Sequence, residues 1–85
     1  MTNHQPSPIK NLGKASQEWL AAVGIYTLED VRELGVVESY LRVKTAFPKA
    51  VSLNMLWGLE AAVQGIDWRA IPDERKAELR KLVGR

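Results

Sequence analysis

Cysteine is missing from this 85-residue chain, and histidine occurs once, at His4. Without cysteine there can be no disulfide and no thiolate metal ligand, so stability must come from side-chain packing, with oligomerisation as a further source. The absence also fits a reducing compartment, and we expect a cytoplasmic protein. His4 lies in the polar stretch MTNHQPSP, where nothing rigid would orient its imidazole. We therefore predict neither a catalytic base nor a metal ligand at His4.

Long apolar runs are also missing. No stretch of about 18 apolar residues exists, so we expect no membrane span. MTNHQPSP has two prolines and lacks the apolar core of a signal peptide. We expect residues 1–8 to form a flexible leader and residues 9–85 to form a single domain, because length and 46% hydrophobic content suit one globular unit.

The residue patterns of common active sites do not occur. The serines lack a histidine partner, and two acidic pairs, Glu29/Asp30 and Asp73/Glu74, fall where helices begin, so capping and the helix dipole explain them. There is no Walker loop and no dinucleotide fingerprint. We expect no enzyme, no cofactor, no metal and no small-molecule substrate.

The apolar spacing predicts helices throughout, without convincing strand alternation. The first helix covers about residues 14–23 and ends at Gly24 in a left-handed cap, with Ile25 as the apolar contact beyond it. Thr27 and Asp30 form the capping box of a short second helix that ends near residues 34–35. A third helix, residues 36–47, stops at Pro48 and turns a few apolar side chains inward: Val37, Tyr40, Leu41 and Phe47.

The fourth helix should be the buried centre of the fold, because it is apolar on nearly every side. It runs from Leu53 to Gln64, with Ser52 as N-cap and Gly65 as its end. Asp67 caps a short turn, and Pro72 takes the first position of a last helix over residues 73–83. The prediction is an all-α fold, a compact bundle of about five short helices that depend on tertiary contacts.

Two sets of cations could contact nucleic acid. The stretch IKNLGKAS places Lys10, Gly13, Lys14 and Ala15 at a glycine-containing loop that opens the first helix. Backbone N–H groups there, helped by the lysines, could bind phosphate oxygens. A second basic patch comprises Arg42, Lys44 and Lys49. The alternative interpretation is a structural turn and a solvated helix face with surface ion pairs.

Aromatic residues offer a different type of site. Trp19 and Trp57 lie on apolar faces and are assigned to the core. Tyr26, Tyr40 and Trp68 are the candidate anchors for a partner protein, since amphipathic aromatic side chains dominate interfaces.

Residues 9–34 are similar to a degenerate helix-hairpin-helix element, with Asn11 where its first glycine would stand. A wider resemblance is carried first by Asn11–Gly35, NLGKASQEWLAAVGIYTLEDVRELG. Together with Val51–Pro72, VSLNMLWGLEAAVQGIDWRAIP, it makes residues 9–83 resemble the C-terminal domain of the TfoX/Sxy competence-regulator family. Members that regulate natural transformation usually carry an additional N-terminal domain. The resemblance here is to the C-terminal domain, so it implies a stand-alone copy of that domain. It also implies a helix-hairpin-helix or SAM-like helical fold, a link to transcription and competence regulation in bacteria, and no catalytic residues or cofactor.

Two hypotheses about function remain open. The first is weak, salt-sensitive contact with DNA, direct or within a regulatory complex, because two lysines, Lys10 and Lys14, and a few amides can neutralise only two or three phosphates. The second is a pure protein-interaction module that docks on a transcription-related protein or on itself as a homo-oligomer.

Overall fold

The computed structural model describes residues 12–84. In that range there are five α-helices and no strand: α1 Lys14–Ala22, α2 Leu28–Leu34, α3 Val36–Ala46, α4 Leu53–Gln64 and α5 Asp73–Leu82, with a 3-10 turn at Trp68–Ala70 between α4 and α5. This confirms the all-α bundle of short helices. The predicted leader 1–8, with His4, and the cation Lys10 lie outside the described residues.

Side-chain and glycine caps account for most of the helix ends. The Thr27 hydroxyl accepts from the N–H of Asp30 at 3.2 Å, and the Asp30 carboxylate accepts from the N–H of Thr27 at 3.1 Å, so the predicted capping box is present. Ser52 caps α4 through the N–H of Asn54. Pro72 differs slightly from its prediction: it precedes α5 in extended conformation, and the helix begins one residue later.

Helix α1 ends in the same type of turn as helix α4. Gly24 has φ +84°, its N–H donates to Ala21 O, and the next N–H, of Ile25, donates to Leu20 O. After α4, Gly65 has φ +72° and Ile66 N–H reaches back to Ala61 O. These reverse bonds define the Schellman motif, which satisfies the last carbonyls of the helix and turns the chain sharply.

The core surrounds α4, as its composition predicts. Seven residues of α4 are buried, and α1, α2, α3 and α5 each contribute buried apolar side chains against them, among them Leu20, Val31, Val43 and Leu79. The inward face of α3 differs from the prediction: Leu41 is 37% exposed, whereas Ser39 is buried. The Ser39 hydroxyl donates to Gly35 O at 2.8 Å, so a small polar residue occupies the inward face without an unpaired group.

Candidate functional site

The described part of the predicted loop before α1, from Leu12 onward, is a plain helix entry. Gly13 is the N-cap residue, with φ −74° and ψ 172°, and it supplies no side-chain cap. The first intrahelical bond runs from Gln17 N–H to Gly13 O at 3.1 Å, so the N–H groups of residues 14–16 have no intrahelical acceptor. Lys14 and Ala15 are exposed. A Cβ on Gly13 would meet nothing within 4 Å, so neither strain nor crowding explains this glycine.

The three cations Arg42, Lys44 and Lys49 do not form one free basic patch. Arg42 pairs with Glu38 on the preceding turn of α3, with Nε 2.9 Å from the carboxylate. Lys44 donates its ammonium hydrogens to Pro48 O at 2.7 Å and Val51 O at 2.6 Å, closing the turn that joins α3 to α4. Lys49 is exposed and makes no side-chain hydrogen bond or ion pair with any described residue.

The predicted aromatic anchors divide between surface and core. Tyr26 is 57% exposed and Trp68 is 44% exposed, so both can meet a partner. Tyr40 cannot, because it is only 1% exposed on the inward face of α3, which corrects its assignment as an anchor. The hydroxyl of Tyr40 has no hydrogen-bond partner among the described residues.

All three tryptophans of the chain line one groove, which we call the tryptophan groove. It has a volume of about 380 Å³, and its apolar lining comes mainly from Leu12, Trp19, Met55, Trp57 and Trp68. Ser16, Ser52 and Asn54 line it with polar groups. Trp19 also packs against Phe47, with ring centroids 6.2 Å apart. Sequence reasoning assigned Trp19 and Trp57 to the core, but both are only half-buried.

Cations lie against the tryptophan groove. The ammonium of Lys76 on α5 lies 5.6 Å from the ring centroid of Trp57 and 6.0 Å from that of Trp68. The guanidinium of Arg69 lies 5.9 Å from the Trp68 centroid. All three separations are within the range of cation–π attraction.

The lining of the groove carries no acidic side chain among the described residues. Asp67, the residue before Trp68, has its carboxylate engaged by Arg69 Nε at 3.1 Å and Nη2 at 3.2 Å. These bonds from the Arg69 side chain, and one from its backbone N–H, lower the pKa of Asp67. Exposed Lys14 and Lys49 stand close in sequence to the lining residues Ser16 and Ala50. By the same measure exposed Glu18 precedes the lining residue Trp19, so near the described lining the cations Lys14, Lys49, Arg69 and Lys76 outnumber the acids Glu18 and Asp67.

The buried carboxylate of the fold belongs to a structural network. Glu60 on α4 accepts from Arg75 on α5 and from Gln64, and Arg75 also reaches Glu78. The bonds to Glu60, and then to Glu78, raise the pKa of Arg75. With its oxygens occupied by donors, Glu60 is not free to act as a general base. In residues 12–84 no group of three or more His, Cys, Asp or Glu side chains could hold a metal ion.

None of the helices in the described part is long and apolar enough to cross a membrane.

Comparison with known proteins identifies the family. The family described as TfoX C-terminal domain matches residues 2–83. The chain belongs to this family, as the sequence resemblance predicted. The TfoX C-terminal domain is a regulatory type of domain and not a known enzyme family. No curated protein matched the chain.

Solved structures support the same fold. The chain is similar to a protein of unknown function from Listeria monocytogenes in a tetragonal crystal form, with 34% identity and a TM-score of 0.81, covering 89% of this chain and 93% of that chain. An uncharacterized protein from the same organism, in a triclinic form, shows 35% identity and a TM-score of 0.80 over 88% of this chain and 84% of that chain.

Proposed function

We propose that this domain is a non-enzymatic regulatory module that makes weak, salt-sensitive contact with nucleic acid in a transcription or competence system. One observation carries the proposal: two exposed lysines without side-chain partners among the described residues, Lys14 and Lys49, are within two residues in sequence of the lining of an aromatic groove, and that lining has no acidic side chain among the described residues. Lys14, with the N–H groups of residues 14–16 that have no intrahelical acceptor, supplies phosphate contacts. Such contacts position a protein on nucleic acid without reading its sequence.

The proposal is tested by titrating labelled duplex DNA at low and moderate salt. Two or three phosphate contacts give a slope of log affinity against log salt of about −1.8 to −2.7, so binding should weaken by roughly 10- to 40-fold between about 50 and 200 mM salt. Lys14→Glu should weaken binding and reduce the slope by about one.

The matched control is Lys81→Glu, which changes net charge equally on α5, where no residue lines the groove. If Lys81→Glu weakens binding as much as Lys14→Glu, the effect comes from net charge and the contact is not at α1. Absence of binding even at low salt would refute the proposal.

A second candidate function is protein interaction. The specific observation in its favour is that two large side chains, Tyr26 and Trp68, remain 57% and 44% exposed. Docking on a transcription-related protein or on a second copy would cover them. Light scattering at several concentrations tests self-association: a strict monomer would remove the homo-oligomer, and a dimer lost in Tyr26→Ser would support it.

A further inference from the structure

We propose that the tryptophan groove binds an unpaired nucleobase, so that the domain prefers single-stranded to duplex nucleic acid. The inference rests on the proposed nucleic-acid contact and adds the form of nucleic acid that is recognised.

The groove offers aromatic surface in a space suited to a small planar group. Its volume of about 380 Å³ lies near the lower end of ligand sites, which span roughly 300–1,000 Å³. Trp68 leaves 44% of its surface accessible on the 3-10 turn, while Trp57 is half-buried. Every nucleobase has a π-face that stacks on an indole, so such a site accepts bases with little regard to sequence.

Polar side chains in the groove can pair with the edge of a base. The Ser52 hydroxyl accepts a hydrogen bond from Asn54 N–H and keeps its own hydrogen to donate. The Asn54 side chain is exposed and makes no hydrogen bond with any described residue, so its amide offers both a donor and an acceptor. Ser16 adds a further hydroxyl from α1.

The charges favour a polyanion as the occupant. Lys76 stands over the rings of Trp57 and Trp68, and Arg69 lies against Trp68. The phosphates that flank a bound base would meet Lys76, which makes no ion pair with a described residue, whereas Arg69 is already paired with Asp67. No acidic side chain of the described lining would repel the phosphates. A duplex keeps its bases stacked and paired, and removing one costs a few kcal/mol. A strand with bases already unpaired avoids that cost.

The test compares three probes with the wild-type protein: a single strand of about 12 nucleotides, within the site size of small single-strand-binding folds, its duplex, and the same strand with abasic central nucleotides. We expect the single strand to bind at least about 10-fold more tightly than the duplex, and the abasic strand to lose most of that advantage. Because all three tryptophans line the groove, intrinsic fluorescence should change with the single strand and not with the abasic strand.

Variants at Trp68 test the stacking directly. Trp68→Leu should weaken single-strand binding by about 5- to 100-fold and leave duplex binding unchanged, because one base–indole stack is lost. Trp68→Phe keeps an aromatic face and should retain most of the affinity. Circular dichroism checks that both variants fold. The comparison with the abasic strand uses the wild-type protein, so it does not depend on the folding of a variant.

The possible outcomes separate the two proposals. Equal affinity for single strand, duplex and abasic strand, still weakened by Lys14→Glu, would overturn the base site and leave the phosphate contact standing. No binding of any probe at low salt would overturn both. A concentration-dependent dimer that Trp68→Leu abolishes, without binding of any oligonucleotide, would assign the groove to association between copies of this chain and overturn the inference.

Discussion

Arg75 on α5 holds the buried carboxylate of Glu60 on α4 with two hydrogen bonds: Nε lies 2.9 Å from Oε2, and Nη2 lies 3.3 Å from Oε1. The Glu60 side chain is 4% exposed and that of Arg75 is 37% exposed, so the pair spans from the core to the surface. Removing the arginine would leave a buried charge without its counter-ion, which is far more costly than losing a surface ion pair.

Arg75→Ala should therefore lower the free energy of unfolding by about 2–3 kcal/mol, below the full cost for a wholly buried pair because Arg75 is partly solvated. Urea denaturation measures the loss. Arg32→Ala is the matched control: its partner Glu29 is 76% exposed, and the loss should stay below about 0.5 kcal/mol.

Glu60→Leu combined with Arg75→Leu should recover most of the stability, since apolar replacement of a buried pair is often neutral. A double variant as unstable as Arg75→Ala would contradict this account.

The capping box of α2 should make stability depend on acid pH. The backbone N–H groups of Tyr26 and Thr27 donate to the Asp30 carboxylate, the first at 2.8 Å, and lower the pKa of Asp30 from its ordinary value of 3.8. A lowered pKa in the folded state stabilises the protein above about pH 3.8. That contribution is lost as pH falls through the folded-state pKa.

Thermal unfolding followed from neutral to acid pH measures the effect. The wild type should be more stable than Asp30→Ala at neutral pH, and the difference should shrink as the pH falls below the ordinary pKa of 3.8. Glu33→Ala removes an exposed carboxylate from the same helix and serves as the control, with a difference that stays small at every pH. A difference for Asp30→Ala that does not depend on pH would show that the carboxylate charge is unimportant for the cap.

The glycines on either side of α1 should respond differently to substitution. Gly24 has φ +84°, so Gly24→Ala forces a side chain into a left-handed conformation and should cost roughly 1–2 kcal/mol. Gly13 has an extended backbone with open space around it, so Gly13→Ser should gain a few tenths of a kcal/mol by capping α1. Denaturation midpoints compare the two, and equal losses would refute the distinction.

The hydroxyl of Tyr40 should contribute nothing to stability. It is buried without a partner among the described residues, so Tyr40→Phe removes a desolvated polar group and should be neutral or stabilising by up to about 1 kcal/mol. Tyr40→Ala is the contrasting variant, expected to lose about 3–5 kcal/mol because it opens a cavity in the core. A clear loss of stability in Tyr40→Phe would mean that the hydroxyl has a partner.

Local chemistry made the helices predictable, because each boundary depends on a few neighbouring residues. Thr27 with Asp30, Ser52, Gly24 and Gly65 all act at the helix ends where their residue types place them. The spacing also placed Tyr40 on the inward face of α3, and the structure confirms that placement. Its assignment as an anchor rested on residue type alone, which suits both a core and an interface, and that assignment is wrong.

Neither the tryptophan groove nor the Glu60–Arg75 pair could be predicted from residues that are neighbours in the sequence. The groove forms where residues from Leu12 to Trp68, on separate elements, are brought together by packing around α4. Glu60 and Arg75 are 15 positions apart and lie on different helices, so no periodic pattern links them. Lys44 is a further example. Its charge indicated a contact with nucleic acid, but its ammonium donates to the backbone carbonyls of Pro48 and Val51 and closes a turn.

The weak anchoring of α5 has a consequence for motion. Within Asp73–Leu82, all of which the structure describes, Leu79 is the one buried side chain, so the helix depends heavily on the Arg75 link to Glu60. Segments with few buried contacts open locally while the rest of a protein stays folded, and their amide hydrogens exchange sooner. Amide exchange in α5 would therefore report on this ion pair together with the packing of Leu79, and each opening would carry Lys76 away from the two indole rings it lies against.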